Sequence, residues 1–201
     1  MEIFEYKTIE KAVEETLLKE KGSKFLGYAY PVNNEAELKN ALDNIRNIHP
    51  KATHHCYAFR MGLNGENYRA NDDGEPSGSA GLPIYNQLLA NDITNILVVV
   101  VRYYGGTKLG VSGLVKTYKE SAKLTLEEAT IVTRELEVML NIRFPFHMQN
   151  VIFTFLNKYD AKVLKFDALE ECSITASIKK KIQENVIEQL NDMQHIYYDI
   201  I

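Results

Sequence analysis

The segment NILVVVVRYYGGTKLGVSGLVKTY, residues 95–118, carries the strongest structural pattern in the chain. Every position from 96 to 101 is apolar, which is typical of a strand that is covered on both faces. After a glycine-rich loop the apolar residues recur at helical spacing, and this predicts an amphipathic helix of about fifteen residues. The apolar positions of that helix include Leu114, Val115, Tyr118 and Ala122. The segment therefore predicts a buried strand that leads through a tight loop into a helix.

The sequence upstream of this segment predicts three strands and two helices. Runs rich in aromatic and β-branched residues predict strands over 23–32, 53–62 and 66–72, with the turn sequence GLNGE between the last two. Helical spacing follows the first strand, and this helix is expected to end before Pro50. Pro83 suits the first turn of the other helix. The apolar side of that helix includes Ile84, Leu88 and Leu89.

The downstream sequence predicts a second structural unit. In chain order its elements are a strand at 137–144, a helix at 148–156, two strands within 161–178 that flank an acidic turn at Glu170 and Glu171, a helix at 182–193 and a strand at 195–201. This β-α-β-β-α-β order is that of ferredoxin-like folds. We place the boundary between the units near residues 130–136, which gives predicted domains 1–132 and 133–201 in an α+β protein.

The composition is that of an ordinary globular protein and argues against several functional classes. The formal net charge is −4, so a nucleic-acid role would need a local basic patch, and we expect neither a DNA partner nor a membrane partner. The cysteines Cys56 and Cys172 outline neither a metal site nor a disulfide framework. The chain starts without an apolar signal region, and its longest apolar run is too short to cross a bilayer, so we expect a cytoplasmic protein.

The glycine-rich loop after the buried strand is suited to an anion. Glycines allow a ligand to approach the backbone closely, and the N-terminus of the following helix presents free N–H groups. Arg102 and Lys108 could add positive charge. The loop matches neither the Walker A nor the GxGxxG pattern. The alternative is a tight strand-to-helix turn whose glycines only allow close packing. The glycines are Gly105, Gly106, Gly110 and Gly113.

The acidic stretch RANDDGEPSGSAGLPIY, residues 69–85, allows three interpretations. Asp72, Asp73 and Glu75 could bind Mg²⁺ or Ca²⁺, which favour oxygen ligands. One carboxylate could instead hold a proton for acid–base chemistry. The third interpretation is structural, in which the acids cap a helix beginning near residues 77–80 and pair with an arginine.

A histidine-cysteine pair and a tyrosine pair also allow more than one interpretation. His54, His55 and Cys56 could form a nucleophile or a ligand set. In a strand, however, His54 and Cys56 would face one side and His55 the other, which argues against this. A buried cysteine used only for packing is the alternative. Tyr103 and Tyr104, next to an arginine, could stack on nucleic-acid bases or pack in a hinge.

Taken together, these motifs resemble those of the IMPACT family, specifically its bacterial YigZ-type members. The matching runs are ATHHCYAFRMG, DDGEPSGSAGLPI and VVVVRYYGGTKLGVSGLVKTY, and the resemblance covers roughly residues 18–125. It implies an N-terminal domain like ribosomal protein S5 domain 2 and a ferredoxin-like C-terminal domain similar to the last domain of elongation factor G. Eukaryotic relatives regulate translation.

The motif positions provide the predicted binding residues, whereas no catalytic residue can be assigned. Two differences from the family pattern are Tyr104 in place of phenylalanine and Ser112 in place of glycine. The predicted ligand-binding residues are His54, Asp72, Asp73, Glu75, Ser77, Arg102, Tyr103, Gly105, Gly106 and Lys108.

Three hypotheses of function follow. The first is a translation-associated binding protein that contacts RNA, the ribosome or a translation factor, with no cofactor. The second is a hydrolase or phosphotransferase that uses Asp72, Asp73 or Glu75 with His54. In the third, all of these motifs are architectural. The resemblance favours a binding protein over an enzyme, although fold analogy is only indirect support.

Overall fold

A computed structural model describes residues 2–168 and 171–201, which form two compact units. The first unit is Tyr6–Arg134, and the second combines Glu135–Ile201 with a short N-terminal segment that ends at Glu5. The domains predicted from sequence, 1–132 and 133–201, assign that N-terminal segment to the first unit instead.

The first unit is built on a five-stranded antiparallel sheet with the order β2-β3-β6-β4-β5. A separate two-stranded sheet pairs β1 with β7. In chain order the elements are β1 (Glu5–Ile9), β2 (Val13–Glu20), β3 (Ser23–Pro31), α1 (Glu35–Ile48), β4 (His54–Met61), β5 (Asn67–Asn71), α2 (Gly81–Ala90), β6 (Ile96–Tyr103), α3 (Gly110–Glu127) and β7 (Ile131–Glu135). The predicted strand–loop–helix segment is therefore confirmed as β6 followed by α3.

Two apolar cores lie on opposite faces of this sheet. One packs the sheet against α2 and α3, and the other packs it against α1. Along β6, Val98 and Val100 belong to the first core, whereas Val99 and Val101 belong to the second. The buried strand is thus covered on both faces, as its apolar run predicts. Because side chains alternate along a strand, consecutive residues at its end face opposite sides of the sheet.

Three strands of the first unit, β1, β2 and β7, have no counterpart among the predicted elements. β2 has the sequence VEETLLKE, and most of its side chains are exposed at the edge of the sheet. Charged residues on an edge strand oppose pairing with other chains, but they also hide the alternation by which strands are recognised. α3 spans 18 residues and is longer than predicted.

The second unit has a four-stranded antiparallel sheet with the order β11-β8-β10-β9. Its elements are β8 (Glu137–Phe144), α4 (Gln149–Lys158), β9 (Lys162–Ala168), β10 (Cys172–Lys179), α5 (Gln183–Asn191) and β11 (Tyr197–Ile200). The predicted β-α-β-β-α-β order is observed, and the fold as a whole is mixed α/β. Of the predicted acidic turn, Glu170 lies outside the described residues and Glu171 is exposed. Over residues 2–168 and 171–201, the helices lack the length and apolar character needed to cross a bilayer.

Candidate functional site

The acidic stretch and the end of β6 meet at a buried ion pair. Arg102 Nη1 donates a hydrogen bond of 2.6 Å to Glu75 Oε1, and the two side chains are only 6% and 4% exposed. The hydroxyl of Tyr118 in α3 donates to the same oxygen over 2.8 Å. His54 Nε2 lies 3.8 Å from it. A buried carboxylate is tolerated only with such partners, so Glu75 joins all three sequence motifs at one point.

Asp72 caps helix α2 from a distance along the chain. Its Oδ2 accepts a hydrogen bond from the Gly78 amide over 2.8 Å. Its Oδ1 accepts from the amides of Ala80 and Gly81, at 2.9 and 2.8 Å. These amides would otherwise lack partners at a helix start, and a negative charge there interacts favourably with the helix dipole. The capping interpretation is confirmed for Asp72, although α2 begins at Gly81, after the predicted residues 77–80.

Asp73 orients the two histidines of β4. Its backbone has a φ of 41°, in the left-handed region that aspartate tolerates better than most residues. Its carboxylate accepts the His55 amide over 2.6 Å. Its carbonyl oxygen lies 2.8 Å from His54 Nδ1, which must carry a proton because a carbonyl can only accept. The imidazole of His54 therefore turns its Nε2 towards Glu75.

The three acids are engaged by protein groups rather than gathered around a common centre. Asp72 binds three backbone amides, Asp73 binds one, and Glu75 binds Arg102 and Tyr118. Among residues 2–168 and 171–201, no group of three or more His, Cys, Asp or Glu side chains is arranged to hold a metal ion. These contacts favour the structural interpretation of the acidic stretch.

Cys56 lies in the same network as a buried thiol. Its Sγ donates to the carbonyl oxygen of Asp72 over 3.0 Å and lies 3.3 Å from the Tyr118 hydroxyl. Burial raises the pKa of the Cys56 thiol and also that of Tyr118. A nucleophilic cysteine needs the thiolate form, so Cys56 has a packing and hydrogen-bonding role.

The glycine-rich loop after β6 packs against the turn between β2 and β3. A Cβ atom on Gly105 would lie 1.9 Å from the carbonyl carbon of Gly22, so only glycine fits there. Ser23 Oγ accepts the Gly105 amide over 3.1 Å and also lies 3.4 Å from Arg102 Nη2. Gly106 has a φ of 88°, which strongly favours glycine. These two glycines shape the loop through packing and backbone conformation.

A cavity of about 260 Å³ opens beside this loop at the start of α3, and we call it the α3 cavity. Lys108 is exposed at its edge, whereas Arg102 forms part of a buried wall. The residue before α3 is Leu109, whose side chain cannot accept hydrogen bonds from the first helical amides. The cavity thus combines a lysine with a helix N-terminus, which suits an anion. Its lining includes Glu75, Pro76, Arg102, Tyr104, Lys108 and Val111.

The predicted binding residues do not all lie in this cavity. Glu75, Arg102 and Lys108 line it, and His54, Asp72 and Asp73 support Glu75 and its loop. Ser77 is exposed on the loop before α2. Tyr103 faces the other side of the sheet, where its hydroxyl lies 3.0 Å from His49 Nδ1. Gly105 and Gly106 shape the loop, as described above.

The predicted binding residues leave out three residues that complete the site, although Tyr104 was considered as a stacking surface. Tyr118 was assigned only to the apolar side of α3, and Ser23 only to the start of a strand. Tyr104 lines the α3 cavity and is 47% exposed, with the Arg102 guanidinium carbon 5.5 Å from its ring centre. The hydroxyl group of Tyr118 was the available signal, because a buried tyrosine hydroxyl usually has a polar partner.

The protein is a two-unit α/β protein with the α3 cavity in its first unit. Residues 21–126, which lie within that unit, match the Impact N-terminal domain. The chain belongs to the IMPACT family, which confirms the resemblance of its motifs. It is 38% identical to the IMPACT family member YvyE of Bacillus subtilis over 131 residues, which are 65% of this chain and 60% of that protein. It is 32% identical to the IMPACT family member YigZ of Escherichia coli over 149 residues, 73% of each protein.

The fold also resembles a solved structure along nearly its whole length. A crystal structure of a hypothetical protein aligns with a TM-score of 0.72 at 25% sequence identity. The alignment covers 99% of this chain and 97% of the other. Both units therefore have counterparts in one known structure.

Proposed function

We propose that this protein is a translation-associated binding protein that contacts RNA, the ribosome or a translation factor through the α3 cavity. The observation that carries the proposal is the cavity itself, in which parts of the DDGEPSG and RYYGGTKLG motifs meet at the start of α3. All three partners offer anionic groups, as phosphates or as acidic side chains. Such groups match the positive end of a helix and a neighbouring lysine.

The charge of the cavity comes mainly from Lys108 and from the helix. Glu75 offsets the charge of Arg102, because the two form a close buried pair. Lys108 is exposed and therefore free to change partners, whereas Arg102 is fixed by its contacts. The helix N-terminus adds roughly half a positive charge. An anion at the cavity would thus gain most from Lys108 and the first amides of α3.

We also propose that the first unit has the fold of ribosomal protein S5 domain 2 and that the second is ferredoxin-like, similar to the last domain of elongation factor G. The β11-β8-β10-β9 order with helices between β8 and β9 and between β10 and β11 supports the second assignment. Both assignments support a function linked to translation.

The enzyme hypothesis fits the geometry less well. A hydrolase or phosphotransferase would need a carboxylate available to move a proton or to bind a metal ion. Asp72 is held by three amides, Asp73 accepts the His55 amide, and Glu75 is held by Arg102 and Tyr118. The binding function is therefore the better supported one.

Lys108→Ala is expected to reduce recovery of translation components from a cell extract about three- to tenfold, because one charge-assisted contact is lost. Lys123→Ala is the matched control, since Lys123 is an exposed lysine in α3, about 20 Å from the start of that helix. The measurement is the amount of ribosomal RNA, ribosomal protein and translation factor retained by each immobilised variant. Arg102→Ala is unsuitable, because it would leave Glu75 buried without its cation.

Equal recovery by the Lys108→Ala and Lys123→Ala variants would contradict the proposal. So would a wild-type protein that retains no translation component.

A further inference from the structure

A second cavity, of about 360 Å³, lies on the α1 side of the five-stranded sheet, and we call it the Tyr104 cavity. This volume is within the range of small-molecule sites, roughly 300–1,000 Å³. Leu26 and Tyr103 connect it to the core beneath α1. Its polar lining residues come from four separate parts of the chain, which are β2, β3, the end of α1 and the end of β6. The lining includes Glu15, Leu17, Lys24, Leu26, His49 and Tyr103, in addition to Tyr104.

A chain of hydrogen bonds fixes the polar wall of this cavity. Tyr103 Oη lies 3.0 Å from His49 Nδ1, and His49 Nε2 lies 2.6 Å from Tyr28 Oη. The Tyr28 hydroxyl donates to Glu15 Oε2 over 3.2 Å. His49 is only 7% exposed, and burial lowers the pKa of its imidazole, which favours the neutral ring. Because the Tyr28 hydroxyl donates to Glu15, its oxygen accepts from His49 Nε2, and His49 Nδ1 accepts from Tyr103, so each hydrogen bond in the chain is directed towards the carboxylate.

An irregular backbone places Glu15 at this wall. The pairing of β2 with β3 shifts register between Val13 and Thr16, and Glu15 within this bulge has a φ of 45°. Bulges redirect side chains and are frequent near functional sites. A left-handed glutamate costs about 1–2 kcal/mol, so the surrounding contacts must hold it. The carboxylate has about four acceptor sites, of which the Tyr28 hydroxyl uses one.

Tyr104 lies between this cavity and the α3 cavity, and it lines both. Its backbone amide donates to Thr53 Oγ1 over 3.2 Å, which holds the residue in place while about half of it remains exposed. An exposed aromatic ring is a stacking surface for unpaired bases. Lys24 lines one cavity and Lys108 lines the other, so a cation is available on each side of the ring for backbone phosphates.

We propose that the Tyr104 cavity binds one unpaired base of single-stranded RNA, which stacks on Tyr104 while the strand continues past Lys108. This inference rests on the proposed function and names its ligand class. A base in a duplex could not reach the cavity, because it must be splayed out to enter. Lys24 would contact a phosphate on the same side as the base.

Glu15 makes guanine the preferred base. The Watson–Crick edge of guanine presents an N–H and an adjacent NH₂ group, and a carboxylate can accept from both. Uracil presents only one N–H group on that edge, flanked by two carbonyl oxygens that a carboxylate would repel. The hydrogen-bonded chain from Tyr103 to Tyr28 keeps Glu15 in the orientation needed for this contact.

Fluorescence anisotropy with labelled RNA of about twelve nucleotides tests this proposal, at a fixed salt concentration. One probe is all uridine, and the other has a single central guanosine. The wild-type protein is expected to bind the guanosine probe about tenfold more tightly. Tyr104→Ala should weaken binding of both probes about tenfold, whereas Tyr104→Phe should retain it. Glu15→Gln should abolish the preference for guanosine without weakening the all-uridine probe.

If Tyr104→Ala binds both probes as tightly as the wild type does, the proposal is overturned. It is also overturned if the wild type binds no RNA at all. If the wild type binds no RNA but Lys108→Ala still reduces recovery of a translation factor, then this inference fails while the proposed function stands. If RNA binding depends on Tyr104 but recovery from extract is independent of Lys108, then the inference stands while the proposed use of the α3 cavity fails.

Discussion

Glu75→Gln is expected to lower the free energy of unfolding by about 3–5 kcal/mol, because it leaves the buried guanidinium of Arg102 without a counter-charge. The substitution keeps the size of the side chain, so the effect reports charge rather than packing. Tyr118 would retain a neutral acceptor in place of a charged one. Urea unfolding followed by far-ultraviolet circular dichroism measures the change. The chain contains no tryptophan to provide a fluorescence signal.

Substituting Arg102, alone and together with Glu75, distinguishes the contribution of the ion pair from that of the surrounding contacts. Arg102→Met is expected to destabilise the protein by a similar amount, since Glu75 would then be the unpaired buried charge. Glu75→Gln with Arg102→Met should cost clearly less than the sum of the single variants, because neither charge remains. Additive effects, or single variants that change stability by less than about 0.5 kcal/mol, would disprove the importance of the pair.

Asp72→Ala is expected to lower the free energy of unfolding by about 3 kcal/mol, because three backbone amides lose the same charged acceptor. Hydrogen bonds to a charged group contribute about 1.5–3 kcal/mol each, and water will replace part of that at this half-buried position. The amides belong to Gly78, Ala80 and Gly81, so the start of α2 should fray. Urea unfolding measures the loss, and amide hydrogen exchange should locate it at α2.

Two further aspartate substitutions control for this effect. Asp72→Asn keeps one acceptor oxygen but turns an NH₂ group towards at least one amide, so an intermediate loss is expected. Asp43→Ala removes an exposed partner of Arg46, 3.8 Å away, and should change stability by about 0.5 kcal/mol or less. If Asp72→Ala costs no more than Asp43→Ala, the carboxylate does not hold the helix start.

The parts of the fold that could be predicted are those with strong local patterns. β6 is apolar at every position, and α3 repeats its apolar residues at helical spacing, so both were found from sequence. The pairing of an acid with an arginine was also foreseen, and Glu75 with Arg102 supplies it. The exposed, charged strand β2 was missed because nothing in its pattern distinguishes it from a surface loop.

The geometry of the site depends on contacts that are distant in sequence. Tyr118 reaches Glu75 across 43 positions, and Ser23 reaches Arg102 across 79. A helix cap is normally sought next to the helix, whereas Asp72 bonds to Gly81, nine positions later. Patterns among neighbouring residues do not predict contacts between residues so far apart in the sequence.

The sequence alone could have excluded Tyr103 from the site that contains Arg102. Arg102 and Tyr103 are neighbours on a strand, so they must face opposite sides of the sheet. Arg102 faces Glu75, and Tyr103 instead bonds to His49 on the α1 side. Grouping both in one binding surface therefore ignored the alternation of side chains along a strand.

A photo-activated cross-linking residue placed at position 108 tests the α3 cavity most directly, with the same residue at position 123 as the control. Irradiation in a translating cell extract is followed by identification of the cross-linked molecules. We predict that position 108, and not position 123, becomes linked to ribosomal RNA, a ribosomal protein or a translation factor. The same products from both positions, or products from position 108 that lie outside the translation machinery, would contradict the proposed function.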